Sequence, residues 1–211
     1  MNENRKKLYD EWREAYKDDP AKAVGWRNQD ALNARFLSTM RHLENRYRGD
    51  RTILDYGCGA SLNLLRYLPP IDFNYVGVDC NLDSLKYASK KYGIPITERY
   101  EVSENSQLIE DEYLEKLEGL SADMIVVQGV YQEFDSIASI RENVNKLASF
   151  LAPKGELLIM TPSNRLAEPD GHSVLKISPY DAISILEYVG LPYELFLGEL
   201  GEHIIMRIYK K

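Results

Sequence analysis

Cysteine and histidine are scarce in this chain of 211 residues, which has two cysteines and three histidines. Two thiols, Cys58 and Cys80, do not make a disulfide framework, and we expect both to be reduced. His42, His172 and His203 are scattered along the chain, without the spacing of metal ligands. The sequence therefore predicts no metal site.

Long apolar runs are also missing. No run approaches the roughly 18 residues that a membrane span requires, and the N-terminal stretch MNENRKK lacks the apolar core of a signal peptide. The chain is 44% hydrophobic and 28% charged, a composition typical of globular proteins. We expect a single cytoplasmic domain, residues 1–211, that does not associate with membranes.

Basic residues are outnumbered by acidic ones. The chain has 26 Lys and Arg against 33 Asp and Glu, for a formal net charge of −7. An extended surface for nucleic acid would need the opposite balance, so no nucleic-acid partner is expected. Acidity and modest size favour a small-molecule substrate, and we expect a monomer or a homodimer.

The most informative stretch is a glycine loop within residues 52–61, TILDYGCGAS. A short apolar run ends at Asp55, passes through Gly57 and Gly59, and leads into a leucine-rich segment that we expect to be helical. Glycines allow positive φ and let a ligand approach the main chain, while a following helix offers unpaired N–H groups. The pattern predicts a strand, a ligand-binding loop and a helix.

A second acid points to a nucleotide. Residues 73–79, FNYVGVD, read as a second strand that ends in Asp79, 24 positions after Asp55 (79 − 55). An acid at the second strand end, at a spacing of about 20, typically holds ribose hydroxyls. The dinucleotide fingerprint would require glycine at position 62, where this chain has Leu62. A nicotinamide oxidoreductase remains an alternative, and only the glycine loop and Asp79 support it.

The glycine loop resembles the first motif of the class I S-adenosylmethionine-dependent methyltransferases, an acid-x-G-x-G pattern, here DYGCG at 55–59. Many members have a further small residue two places on, and here it is Ser61. The stretch 151–157, LAPKGEL, and the terminal strand pair resemble the same family. The resemblance covers roughly residues 23–209. It implies an α/β Rossmann-like methyltransferase fold: a mostly parallel seven-stranded sheet with an antiparallel last strand and helices on both faces.

The resemblance also implies the cofactor, S-adenosyl-L-methionine, and an N-terminal helical lid formed by residues 1–50. In small members an arginine of the lid pairs with the methionine carboxylate, and Arg35 is the matching position. The family often has an acid near the end of the third strand that binds the adenine amino group, and Glu104 is the candidate for that role. The full set of expected cofactor-binding residues is Arg35, Asp55, Gly57, Cys58, Gly59, Asp79, Cys80, Glu104, Gln128 and Gly129.

The other elements follow from apolar periodicity and turn residues. The run 122–127 is typical of a strand buried on both faces of a parallel sheet. Besides it, we expect a helix after Asn81, a third strand over about 96–102, a charged helix over 107–119, a helix over 137–150, a strand over 156–160, a helix that begins after Ser178, and two terminal strands.

Three residues are candidates for handling the acceptor. His172 could act as a general base because its unperturbed pKa lies near neutrality. Tyr131 and Glu133 follow the fourth strand and could orient the acceptor. The predicted function is transfer of a methyl group to an oxygen or nitrogen of a small molecule. The alternatives are a non-catalytic S-adenosylmethionine-binding homologue and a methyltransferase that acts on a protein or RNA.

Overall fold

A computed structural model describes residues 7, 11, 29–42, 51–68, 73–102, 105–164, 175–198 and 203–211. Its centre is an eight-stranded sheet in the order β3-β4-β2-β1-β5-β6-β8-β7. The strands are β1 Arg51–Tyr56, β2 Phe73–Asp79, β3 Ile96–Thr97, β4 Gln107–Glu110, β5 Ala122–Gln128, β6 Leu151–Pro162, β7 Tyr193–Leu197 and β8 His203–Tyr209.

The sheet is parallel from β3 to β6, and β8 runs antiparallel to both of its neighbours, β6 and β7. This confirms the predicted fold class, with one correction to the strand count. Gln107–Glu110, which was not predicted as a strand, adds β4 between β2 and the edge strand β3, so the sheet has eight strands instead of seven. Within the pair of β6 and β8, Arg207 Nε donates to Glu156 Oε2 at 2.7 Å, and both side chains are buried.

Four α-helices are described: α1 Gln29–Arg41, α2 Leu82–Tyr92, α3 Ile137–Ser149 and α4 Pro179–Val189. Asn81 caps α2, because its side chain accepts the N–H groups of Asp83 and Ser84. Ser178 forms a capping box with Asp181 at the start of α4. The predicted starts of these two helices are therefore confirmed. None of the helices in the described part of the chain is long and apolar enough to cross a bilayer.

Successive side chains along each strand point to opposite faces of the sheet, and this produces two apolar layers, one on each face. Leu54 of β1 packs in one layer with residues of α3 and α4. Its neighbour Ile53 packs in the other layer with Phe36 of α1 and Leu85 of α2. The predicted placement of helices on both faces follows from this period-two burial.

Three predicted elements are corrected by the structure. The charged helix over 107–119 is wrong, since Gln107–Glu110 forms β4 and pairs in parallel with β2. Leu108 and Ile109 are fully buried on opposite faces, which a strand allows. The strand over 96–102 shrinks to Ile96–Thr97. After the glycine loop, the expected helix is only a 3₁₀ turn over Asn63–Arg66, entered through Leu62 in the left-handed region.

Within residues 1–50, the segment predicted to form a lid, the described helix is α1. The ring of Phe36 stacks on that of Tyr67 with centroids 5.2 Å apart, and the Tyr67 hydroxyl donates to Asn33 Oδ1. Just beyond α1, the His42 ring lies 4.3 Å from that of Phe196 in β7. Apart from positions 7 and 11, the predicted lid residues before α1 lie outside the described residues.

Candidate active site

A cavity of about 740 Å³ opens at the carboxyl ends of β1, β2, β4 and β5. Its volume lies within the roughly 300–1,000 Å³ of small-molecule sites. Nine of the predicted site residues line it together: Asp55, Gly57, Cys58, Gly59, Asp79, Cys80, Gln128, Gly129 and Glu133. Parallel strands place these distant segments at one edge of the sheet, where ligands collect in open α/β folds.

The glycine loop is tied down by backbone hydrogen bonds to the second strand. The N–H groups of Gly57 and Cys58 donate to Val78 O at 2.7 and 3.1 Å. Gly57 has a φ of 81°, and a Cβ there would lie 2.2 Å from Val130 Cγ2. Gly57 therefore meets both a conformational and a steric requirement, and its main chain stays open to the cavity.

Asp79 joins the loop to the turn before α2. Its Oδ2 accepts the Gly59 N–H at 3.0 Å, and its Oδ1 accepts the Asn81 N–H at 2.9 Å. These bonds fix the carboxylate at the cavity wall, where the sequence predicts a contact with ribose hydroxyls. The geometry is suited to that role, since an ionised carboxylate offers about four acceptor positions.

Asp55 lies buried at the base of the loop. Its Oδ2 accepts the Tyr75 hydroxyl at 2.7 Å. Burial raises the pKa of Asp55 to about 7, and the charge of Asp79 adds to the increase, although the hydrogen bond from Tyr75 opposes it. This carboxyl group therefore titrates near neutral pH.

The opposite wall contains residues that the sequence analysis missed. Asp111, Glu112 and Tyr113 follow β4 and line the cavity. Asp111 organises this turn, because its two oxygens accept the N–H groups of Tyr113 and Lys116 at 2.9 and 2.7 Å. Reading 107–110 as a strand would have revealed Asp111 as an acid at a carboxyl end.

A hydrogen-bonded chain links this wall to α3. Asn143 Nδ2 donates to the Tyr56 hydroxyl at 3.2 Å, and the Tyr131 hydroxyl donates to Asn143 Oδ1 at 2.9 Å. Burial raises the pKa of Tyr56 to about 12 and that of Tyr131 well above its usual value. Tyr131 is fully buried, so its ring packs in the core, and it is Asn143 that lines the cavity.

Three buried amide atoms in the wall lack a hydrogen-bond partner among the described residues. Gln128 Oε1 and Nε2 and Asn63 Oδ1 are buried without a hydrogen bond there. Buried polar atoms are nearly always paired, so unpaired ones in a cavity wall fit a site whose ligand completes them. The open glycine loop and the fixed Asp79 together suit a polar nucleotide cofactor.

The thiols of the site are not ionised at neutral pH. Burial raises the pKa of Cys80 to about 11, with a further contribution from Asp79, and raises that of Cys58 well above its usual value. Both cysteines are free.

Three predicted site residues fall where the structure gives no side-chain description. His172 and Glu104 lie outside the described residues. Arg35 belongs to α1, but its side chain is outside the described part as well. In the rest of the chain that is described, no three His, Cys, Asp or Glu side chains form a group able to hold a metal ion.

This fold and site define the class of protein. An open sheet with an antiparallel last strand, a glycine loop after β1 and an acid at the end of β2 are the features of a class I S-adenosylmethionine-dependent methyltransferase. The sequence profile described as "Methyltransferase domain" matches residues 5–189, and the chain belongs to this family. A search of curated protein sequences gives no match.

Solved structures share the fold. A TehB-like SAM-dependent methyltransferase from Corynebacterium glutamicum superposes with a TM-score of 0.65 at 17% identity, covering 97% of this chain and 98% of that one. Magnesium protoporphyrin IX methyltransferase from Synechocystis, with bound SAM, gives 0.65 at 14% identity, with coverages of 96% and 91%. The N-methyltransferase NodS from Bradyrhizobium japonicum gives 0.60 at 16%, with coverages of 85% and 96%.

Proposed function

We propose that this methyltransferase moves the methyl group of S-adenosylmethionine to an oxygen or nitrogen of a small molecule. One observation carries the proposal. The glycine loop, Asp79 and the segment from Gln128 to Glu133 line a single cavity of about 740 Å³. Cofactor and acceptor positions therefore share one space of the size that small-molecule sites have.

The residues that would hold the cofactor are those at the ends of β1 and β2. The open main chain at Gly57 and Gly59 would lie against it, and the fixed Asp79 carboxylate would accept its ribose hydroxyls. When bound, S-adenosylmethionine would supply a methyl group attached to a positively charged sulfur. A lone pair of the acceptor would form the new bond to the methyl carbon as the carbon–sulfur bond breaks, which leaves a neutral thioether.

The chain's own contribution is orientation and shelter from water. Because the positive charge on sulfur is lost as the methyl group moves to the acceptor, a site that excludes water favours the reaction, and holding the acceptor in line supplies most of the remaining acceleration. The raised pKa values of Tyr56, Cys80 and Tyr131 keep these groups protonated at neutral pH, so they are not available to take up the acceptor's proton. Glu133, which lines the cavity after β5, is the described residue that we assign to receive the acceptor's proton.

Calorimetric titration with S-adenosylmethionine, S-adenosylhomocysteine and NAD tests the cofactor assignment. We expect micromolar binding of the first two and none of NAD. Binding of NAD alone would instead revive a nicotinamide enzyme. Methyl transfer is then measured with radiolabelled S-adenosylmethionine and a panel of small acceptors, with a protein and an RNA as further acceptors. Cofactor binding with no transfer to any acceptor would identify a non-catalytic homologue, and transfer to the macromolecules alone would overturn the small-molecule proposal.

A further inference from the structure

The described wall of the cavity carries a strong excess of negative charge. Its acidic members are Asp55, Asp79, Asp111, Glu112, Glu133, Asp135 and Glu142, and its basic member is Lys146. The Lys146 ammonium already donates to Tyr113 O at 2.5 Å. A cavity lined by one sign of charge attracts ligands of the other sign.

Part of this excess belongs to the site framework. Asp79 and Asp111 accept backbone N–H groups of the surrounding turns, and Asp55 is held by Tyr75. Asp135 and Glu142 are different. They lie before and within α3, are exposed at the cavity edge, and form no ion pair with any described residue. Their charge is therefore available to a ligand that enters from this side.

Hydrogen-bonding capacity points to the same kind of ligand. Asn63 is only 8% exposed, lines the cavity, and its buried Oδ1 receives no hydrogen bond from the described residues. At the end of β5, Gln128 Oε1 and Nε2 are also buried without a partner among the described residues, so this amide can both accept and donate. The Asn63 oxygen requires a donor. An ammonium group has donors only, whereas a carboxylate or phosphate has none to give.

We propose that the acceptor is a small molecule that carries an ammonium group, which Asp135 and Glu142 recognise at the cavity edge. This inference rests on the proposed function and names its substrate class. The ammonium group is the recognised feature, and the methyl group goes to an oxygen or nitrogen of the same molecule. An acceptor with a carboxylate or phosphate at that position would instead meet repulsion from the cavity wall.

The test uses the full chain saturated with S-adenosylhomocysteine, so that the cofactor's own charges are already in place. Ligand-observed NMR compares benzylammonium, benzyl alcohol and benzoate, which share a ring and differ in charge. We expect benzylammonium to bind about tenfold more tightly than benzoate at low salt, and the preference to shrink as salt screens the exposed carboxylates.

Variants locate the recognition. The double variant D135N/E142Q should weaken benzylammonium binding by about fivefold to tenfold, the effect of two partly exposed charges, while the affinity for S-adenosylhomocysteine stays the same. Asp83 of α2 and Glu187 of α4 are exposed acids that do not line the cavity, so D83N/E187Q is the charge-matched control and should change neither affinity.

The outcomes separate this inference from the proposed function. If wild-type protein does not bind S-adenosylhomocysteine, the proposed function fails. If S-adenosylhomocysteine binds but benzoate binds as well as benzylammonium, or no probe binds, or D135N/E142Q leaves benzylammonium binding unchanged, the ammonium assignment is overturned and the methyltransferase proposal stands.

Discussion

At the scale of single residues, two carboxylates in the same cavity differ in their surroundings. Asp79 accepts two backbone N–H groups, whereas Asp55 is buried against Tyr75 and its pKa rises to about 7. The spacing of these acids is visible in the sequence. The difference in their surroundings cannot be read from the sequence, because it depends on Tyr75 of β2 and on the depth of burial, which only the packed sheet determines.

Replacing Asp55 by asparagine should stabilise the ligand-free protein at alkaline pH. The folded-state pKa of about 7 lies above the ordinary value of 3.8, so the wild type loses stability from this group as pH rises from about 4 to 7. An asparagine side chain at this position keeps an acceptor for Tyr75 without that cost. We expect D55N to be more stable by about 2 to 4 kcal/mol at pH 8, with the advantage fading toward pH 4.

Denaturant unfolding at a series of pH values measures this difference. Asp83 is an exposed acid on α2, and D83N should change the free energy of unfolding by less than about 0.5 kcal/mol throughout. Parallel stability curves for wild type and D55N across the pH range would contradict the assignment.

Replacing Asp79 by alanine should weaken cofactor binding by about 1.5 to 3 kcal/mol, because the ribose hydroxyls lose their proposed acceptor and the N–H groups of Gly59 and Asn81, which position the site, lose theirs. Calorimetry of folded D79A with S-adenosylhomocysteine measures the loss. D83A removes a nearby acid that does not line the cavity and should bind like wild type. Unchanged affinity in D79A would remove the ribose assignment.

At the scale of elements, long buried strands are predictable from the sequence and the short strand β4 is not. Strands β1, β2 and β5 are predictable because their apolar runs are long and are followed by acids or glycine. The four residues of β4 precede a polar stretch, and together with it they match a helical pattern. Their pairing with β2 determines their state, and that long-range contact leaves no local signal. The acids of the far cavity wall are missed for the same reason.

Replacing a glycine by alanine can reduce stability through the backbone conformation and through a steric clash, and Gly57 and Gly93 allow the two effects to be separated. At Gly57 an alanine meets both a positive φ of 81° and Val130 Cγ2 at 2.2 Å. At Gly93 it meets a φ of 72° but has no atom within 4 Å. We expect G93A to lose about 1 to 2 kcal/mol of stability, from the backbone alone, and G57A to lose about 1 to 3 kcal/mol more.

Val130 provides the internal check on this comparison. Trimming it in G57A/V130A removes the steric clash and should recover part of the loss relative to V130A alone, while the φ cost remains. Thermal and denaturant unfolding measure stability, and titration with S-adenosylhomocysteine measures whether the loop still binds. Equal losses in G57A and G93A would show that Val130 moves aside freely.

At the scale of the whole molecule, the sheet is continuous and most of its strands contribute to a single core on each face. The fold class, the helices on both faces and the antiparallel last strand are what the resemblance to the methyltransferase family implies, and the structure confirms them. The edge strand β3 is predictable only in part, since its two residues carry little periodicity.

Because the cavity spans the ends of four strands, ligand binding should stabilise the entire fold. At a concentration about 100-fold above its dissociation constant, S-adenosylhomocysteine should add about 2.7 kcal/mol to the free energy of unfolding. For a chain of this size that corresponds to a rise of about 5 to 10 °C in Tm. Differential scanning fluorimetry measures the shift. NAD at the same concentration should give none, and a smaller rise is expected for D79A.

The position of β8 has a consequence for synthesis. β8 is the last of the eight described strands along the chain, yet it lies between β6 and β7, and its Arg207 pairs with Glu156 of β6. On the ribosome, β6 and β7 are therefore complete before the strand that joins them exists. Until residues 203–209 have emerged, β6 is an open edge of the nascent sheet and β7 has no strand to pair with, so other chains can pair with either one. Completion of the fold is consequently tied to the final stage of translation of this domain.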